Sequence, residues 1–262
     1  MGPVNTSRKD SLTRAVRAAG ITATPFWFDE VGSTNDEARR LAAGGAPEWT
    51  VIAAGHQTAG RGRLGRRWVD VPGTSLLCSV LLRPGLETEQ AHVVALAAAV
   101  SMIDAAGLPA MAAKWPNDLV VGERKCGGIL AEAEVRDGTV AHVVLGVGIN
   151  VSAGAEDLPG EVRETATSLA IEGAETDADA LLERFLRSLR GRLEAPGFAR
   201  SVVDAYRQRC RTLGRRVRAV SVGGVPIDGR AADVDENGSL LVEGEGGPER
   251  VAFGEVTHLA MP

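Results

Sequence analysis

The stretch MAAKWPNDLVVGERKCGGILAEAEVRDGTVAHVVLGVGIN, residues 111–150, reads as strand almost from end to end. Apolar runs at Met111 to Lys114, Leu119 to Val121, Gly128 to Val135 and Val140 to Val147 are separated only by turns, at Pro116, Gly122 and Asp137-Gly138. Links this short cannot carry a crossover helix, so several neighbouring strands must pair antiparallel. Upstream, residues 89–106 are Ala-rich and helical, and Ser75 to Leu82 alternates as a strand that Pro84-Gly85 breaks. Val51 to Ala54 is a further strand. Ser33 or Thr34 caps a helix through about Leu41, with Asp36 and Glu37 in the first turn, where the helix dipole favours negative charge. Ile21 to Asp29 is extended, and residues 11–19 form a short helix. Downstream, 153–166 reads as a mobile surface loop, and 177–194 and 198–209 as amphipathic helices. From Leu213 short β-rich runs (Arg216 to Val222, Ile227 to Val234, Leu240 to Val242, Arg250 to Phe253) predict a small β-barrel of about 50 residues. The fold class is α+β: a lead-in over 1–25, a larger domain over 26–212 and a small β domain over 213–262.

Composition bounds the function. The 262 residues carry 29 Lys+Arg against 34 Asp+Glu and are 44% hydrophobic, which excludes disorder and collagen. The longest apolar stretch, Val93 to Ile103, is about half of the ~20 residues that span a bilayer. The polar Met1 to Asp10 lacks the apolar core of a secretory signal, so a cytoplasmic location is expected. Cys78, Cys126 and Cys210 are too far apart for a zinc site and odd in number, and the four histidines form no paired-ligand pattern. Charge is uneven: between Glu48 and Asp70 there are four arginines and no acid.

That inversion is GRGRLGRRW, Gly60 to Trp68, where glycines let backbone approach a ligand while Arg61, Arg63, Arg66 and Arg67 project from it. A polyanion is the natural guest, and self-repulsion predicts a loop that is disordered when empty. Taken alone, it reads equally as a nucleic-acid tether or a solvated loop; GxxxxGK[ST] is absent, so it is no P-loop. KWPNDLVV, Lys114 to Val121, sets a lysine and the oxygen ligands of Asn117 and Asp118 around a turn that Pro116 fixes, or is turn chemistry only. KCGGIL, Lys125 to Leu130, puts a cation before two glycines that let a small ligand lie on the backbone, or opens a buried strand with a glycine turn. GSTN, Gly32 to Asn35, offers two hydroxyls and an amide at a helix N-terminus, or a plain cap. GVGIN, Gly146 to Asn150, ends a strand with glycines and a carboxamide but is not a dinucleotide fingerprint. Gln57 offers a donor and an acceptor to a polar ring.

In this order the segments resemble the biotin protein ligase family, over most of the chain from about Phe26. The resemblance implies a class II synthetase-like biotin/lipoate ligase fold, a mixed β-sheet with helices packed on one side, plus an SH3-like C-terminal barrel. It implies that biotin and MgATP give biotinyl-5'-adenylate, from which biotin passes to a lysine of a biotin carboxyl carrier domain. Carried over by motif position, Arg63 and Lys125 bridge the biotin carboxylate and the α-phosphate, and Arg66 with Lys114 holds phosphates. Arg61 with the Gly60 backbone forms a lid over biotin. Ser33, Thr34 and Gln57 bond its ureido ring, Gly128 and Gly146 line the apolar end, and Asn35 and Ile129 also belong to the biotin site. Trp68, Asn117, Asp118 and Asn150 belong to the nucleotide side. Mg²⁺ comes with ATP rather than being fixed by protein alone, with Asp118 a candidate contact. Asp118 is also a candidate base for the incoming lysine. Family members that act as repressors carry a winged-helix domain ahead of the catalytic fold; about 25 residues precede it here, so the expectation is a monofunctional ligase with no DNA and no membrane partner, a monomer or a weak homodimer. A lipoate-type ligase shares the acyl-adenylate logic. A nucleic-acid module, the reading from another class, has few stacking platforms at 4% aromatic residues.

Overall fold

The computed structural model describes residues 6–175, 177–221, 224–252 and 254–259. Val222 and Phe253, the last residues of two expected β-runs, lie outside them, as do residues 1–5 of the lead-in. Strands β1 (Phe26–Phe28), β2 (Val51–Ala54), β3 (Ser75–Leu82), β4 (Met111–Lys114), β5 (Asp118–Val121), β6 (Arg124–Arg136) and β7 (Thr139–Asn150) form a seven-stranded sheet of order β1-β2-β3-β7-β6-β5-β4. Only β1 and β2 run parallel, so the sheet is mixed. β6 and β7 extend beyond the expected limits, which brings Lys125 and both glycines of KCGGIL inside β6.

Helices α1 (Thr6–Ala18), α2 (Thr34–Ala43), α3 (Ala91–Ala106), α4 (Ala178–Leu193) and α5 (Phe198–Arg209) divide unequally between the faces. Strand period 2 sends Val51, Ala53, Val80, Leu82, Val143 and Leu145 into the main core with α1, α3, α4 and α5. Their alternates Ile52, Leu81 and Val144 meet Ala38 of α2 in a separate cluster. Four helices thus share one side, and α2 alone covers part of the other. β3 is buried along its length because both of its faces are covered. α3 ends where Gly107 turns left-handed (φ 64°), and α4 starts where the Asp177 carboxylate accepts from the Ala180 N–H at 2.8 Å.

The C-terminal unit is the small β domain that the short β-rich runs predict. β8 (Arg216–Ser221), β9 (Pro226–Val234), β10 (Leu240–Gly244), β11 (Gly247–Val251) and β12 (Gly254–His258) make an antiparallel sheet of order β11-β10-β9-β8-β12. Val217, Ala231, Leu240 and Val251 are buried within it, and among the described residues no pairing joins its edge strands. It is pinned to the KWPND turn: the Trp115 indole N–H donates to the Gly238 carbonyl at 3.0 Å, and the Trp115 backbone N–H to Thr212 Oγ1 at 3.0 Å. The 153–166 segment, expected as a mobile loop, folds onto its own cluster of Ala153, Leu158 and Ala166.

Candidate active site

Register builds the floor of the site. Across β3, β7 and β6, Ser79 pairs with Gly146, Gly146 with Leu130, and Gly148 with Gly128. Alternation places all of them on the face that α2 leaves partly uncovered. Glycine is required there by what lies above: a Cβ on Gly146 would sit 2.3 Å from Asn35 Oδ1, and one on Gly148 2.8 Å from the Trp68 indole. The result is a cavity of about 150 Å³ floored by backbone.

One wall is polar and comes from the start of α2. Ser33, Thr34 and Asn35 are buried. Ser33 occupies the cap position, yet its hydroxyl makes no capping bond and lines the cavity instead. The Thr34 backbone N–H and hydroxyl donate to Gln57 Oε1 at 2.8 and 3.1 Å. The Ser79 hydroxyl lies 2.6 Å from Asn35 Oδ1 and 2.8 Å from Thr34 Oγ1, and Asn35 Nδ2 donates to Glu132 at 2.7 Å. Behind Gln57, whose backbone N–H reaches Asp70 at 3.3 Å, the buried Asp70 also holds His56 at 2.8 Å.

The arginine loop closes the cavity as a strap with a defined course, where its charge predicted disorder. The Trp68 N–H donates to the Gly60 carbonyl at 3.0 Å and the Gly62 N–H to that of Arg66 at 2.7 Å, with a tight turn at Leu64 (φ 54°) and Gly65 (φ 74°). Three of its arginines have acceptors: Arg61 lies 3.0 Å from Asp36 and 3.2 Å from Glu132, Arg63 donates to the Gly254 carbonyl at 3.0 Å, and Arg66 meets Glu255 at 2.5 Å. Burial lowers the Arg63 pKa from its ordinary value, neighbouring Arg66 adds to this, and Glu255 and Asp118 oppose it. A guanidinium stays charged through such a shift, so Arg63 is a partly desolvated cation facing the cavity. Opposite it, Lys125 Nζ sits 2.5 Å from Asp118 and 5.9 Å from the centre of the Trp68 ring. The Lys125 backbone is fixed from both sides, its N–H donating to Thr165 and its carbonyl accepting from Thr167. Trp68 Nε1 is buried with no hydrogen-bond partner among the described residues.

Of the sequence-predicted residues, Ser33, Thr34, Asn35, Gln57, Arg61, Arg63, Arg66, Trp68, Asn117, Asp118, Lys125, Gly128, Ile129 and Gly146 line this one cavity. Three do not. Gly60 forms the base of the strap, where a Cβ would press on the Trp68 carbonyl at 2.7 Å. Asn150 donates to the Thr167 carbonyl at 2.9 Å and ties down the loop behind Lys125. Lys114 ends β4 opposite Asp118, and its charge helps lower the His258 pKa, which puts it on the side of the C-terminal sheet. Asn117 closes the turn, its side chain donating to the Ile129 carbonyl at 3.0 Å. Gly148, Glu132, Ser79 and Glu255 were missed. The spacing GVG could have revealed Gly148, since residues i and i+2 of a strand share a face; nothing local marks the other three.

Residues 29–150 match the model of the biotin/lipoate A/B protein ligase family, and residues 212–259 that of the biotin protein ligase C-terminal domain. The chain is 37% identical over 241 residues to a biotin--[acetyl-CoA-carboxylase] ligase from Mycobacterium tuberculosis, covering 88% of this chain and 87% of that one. It is 34% identical over 236 residues to the Paracoccus denitrificans protein of the same name, covering 86% and 96%. Among solved structures, biotin protein ligase from Aquifex aeolicus in complex with biotin and ATP superposes with a TM-score of 0.69 at 28% identity, over 89% of this chain and 97% of that one.

Proposed function

Because the chain belongs to the biotin/lipoate A/B protein ligase family, we propose that it joins biotin to ATP as biotinyl-5'-adenylate and then passes biotin to a lysine of a biotin carboxyl carrier domain. The observation that carries this reading is that Arg63 and Lys125 line one cavity together with Gly128, Gly146 and Gly148. A carboxylate with pKa of about 4 to 5 is ionised at neutral pH, so the first step needs no base. It needs relief of repulsion between carboxylate and triphosphate, which desolvated cations supply. The carboxylate oxygen attacks the α-phosphorus, the bond to the bridging oxygen breaks, and pyrophosphate leaves. Arg66 is placed to release Glu255 and follow the phosphates.

The polar wall selects the vitamin. A cyclic urea buried without partners would cost about 1 to 3 kcal/mol for each unpaired group, and Ser33, Thr34, Asn35 and Gln57 offer them. A dithiolane ring has no such groups, which disfavours lipoate. Mg²⁺ enters as part of MgATP in this reading, with Asp118, which Lys125 approaches to 2.5 Å, as the candidate protein contact. The nucleic-acid reading is less well supported, since Arg61, Arg63 and Arg66 each already engage an acceptor of this chain. No described helix is long and apolar enough to cross a membrane, and the three free, buried cysteines suit the cytoplasm. Calorimetry tests the reading: biotin should bind alone and bind with a larger heat when ATP is present, and lipoate should give none. Absence of heat with biotin under both conditions would overturn it.

A further inference from the structure

A second cavity, of about 70 Å³, lies on the α3 side of β6. Ala95 and Leu96 of α3, Ile129 and Ala131 of β6, and Ala252 after β11 form an apolar wall, with Arg63, His92 and Asn117 beside it. β5 pairs with β6 as far as Gly128, and Asn117 continues that pairing onto Ile129 through its carbonyl and its side chain; the pairing ends there, beside Leu130, and Arg63, Asn117 and Leu130 line both cavities. Half the size of the first, this space excludes a second biotin or a nucleoside and suits an unbranched aliphatic stem. We propose that it receives the side chain of the acceptor lysine and delivers its amine to the acyl adenylate around the β6 edge, from the face opposite biotin. The inference rests on the ligase reading above.

The chemistry fits the walls. A lysine buries its four methylenes against apolar surface while its amine reaches onward. The amine attacks only when uncharged, and the walls named above hold no carboxylate to fix it as ammonium. His92 stands in the same wall with its pKa lowered by burial, by Arg63 and by Arg250, against the opposing pull of Asp235, so it adds no charge against the stem. The ammonium releases its proton to water, and its lone pair attacks the acyl carbon. A C–N bond forms, the C–O bond to the AMP phosphate breaks, and AMP leaves with the electron pair. The remaining excess proton on nitrogen goes to water. Arg63, shared by both cavities, faces the departing phosphate.

The test compares the two half-reactions. In the unaltered protein, preformed adenylate should be consumed by n-butylamine at least about tenfold faster than by cyclohexylmethylamine, an amine of similar reactivity but too wide for the cavity. Ala95→Leu, and independently Ala131→Leu, should slow transfer to a carrier domain by about tenfold or more while biotin-dependent ATP–pyrophosphate exchange stays within about twofold. Equal rates with the two amines, or unimpaired transfer in both variants, would overturn the inference and leave the ligase reading intact. Absence of exchange in the unaltered protein would overturn the ligase reading, and the inference with it.

Discussion

Gly148 shows how a single hydrogen atom shapes the site. Replacing it with alanine sets a methyl 2.8 Å from the Trp68 indole, so the strap must shift or the floor must bend. Overpacking of this kind costs about 1 to 3 kcal/mol. Gly148→Ala should therefore lower stability by that amount in denaturant melts and weaken biotin by about tenfold or more in calorimetry. Arg63 acts at the same scale by charge. Because an acyl phosphate survives only where water is excluded, Arg63→Ala should release adenylate at least about tenfold faster and label lysines promiscuously, read by mass spectrometry of bystander proteins. Retention of the intermediate would remove Arg63 from this role. Arg63 was legible because motif and chemistry coincide within a few positions. Ser79 and Glu132 were not, since each acquires its partner only through strand register, Ser79 from β3 to Asn35 and Glu132 from β6 to Arg39 and Arg61.

Among the elements, the strap and β12 form one unit. Arg66 and Glu255 are exposed enough that their pairing is worth at most about 1 kcal/mol, so Glu255→Gln should leave global stability nearly unchanged while loosening the strap. Trypsin should then cut between Arg61 and Arg67 several times faster, with protection restored by biotin and ATP together. Unchanged cleavage would show that the Arg63 bond to Gly254 suffices. Strands and long helices were readable from periodicity, and α4 and α5 match their expected limits within a residue. The extra length of β6 was not readable, because Lys125 and two glycines look like a turn until Asp118, Gly128 and Gly148 align across three strands. The lone placement of α2 was hidden for a similar reason: Ile52, Leu81 and Val144 are alternate residues of strands whose other face is equally apolar.

For the whole molecule, two sheets meet where the KWPND turn touches Thr212 and Gly238, a contact that no single run of sequence announces. The imidazoles tie this assembly to pH. His92, His142 and His258 all sit below their ordinary value, burial being the first cause in each. Below about pH 6.5 the unfolded chain binds protons that the folded chain refuses. Stability is therefore complete above that point and falls as pH drops through it. The melting temperature should be lower at about pH 5.5 than at about pH 7.5, and His258→Gln should flatten the dependence. A melting temperature that rises on acidification would contradict these assignments.

Exchange of labelled pyrophosphate into ATP reads the proposed role of Arg63 and Lys125, which is to let two anions react beside the glycine floor. Label should enter ATP when biotin is added and stay out with lipoate or with no acid, and Lys125→Ala should abolish the exchange. Exchange that proceeds without biotin, or that survives loss of Lys125 undiminished, would contradict the account.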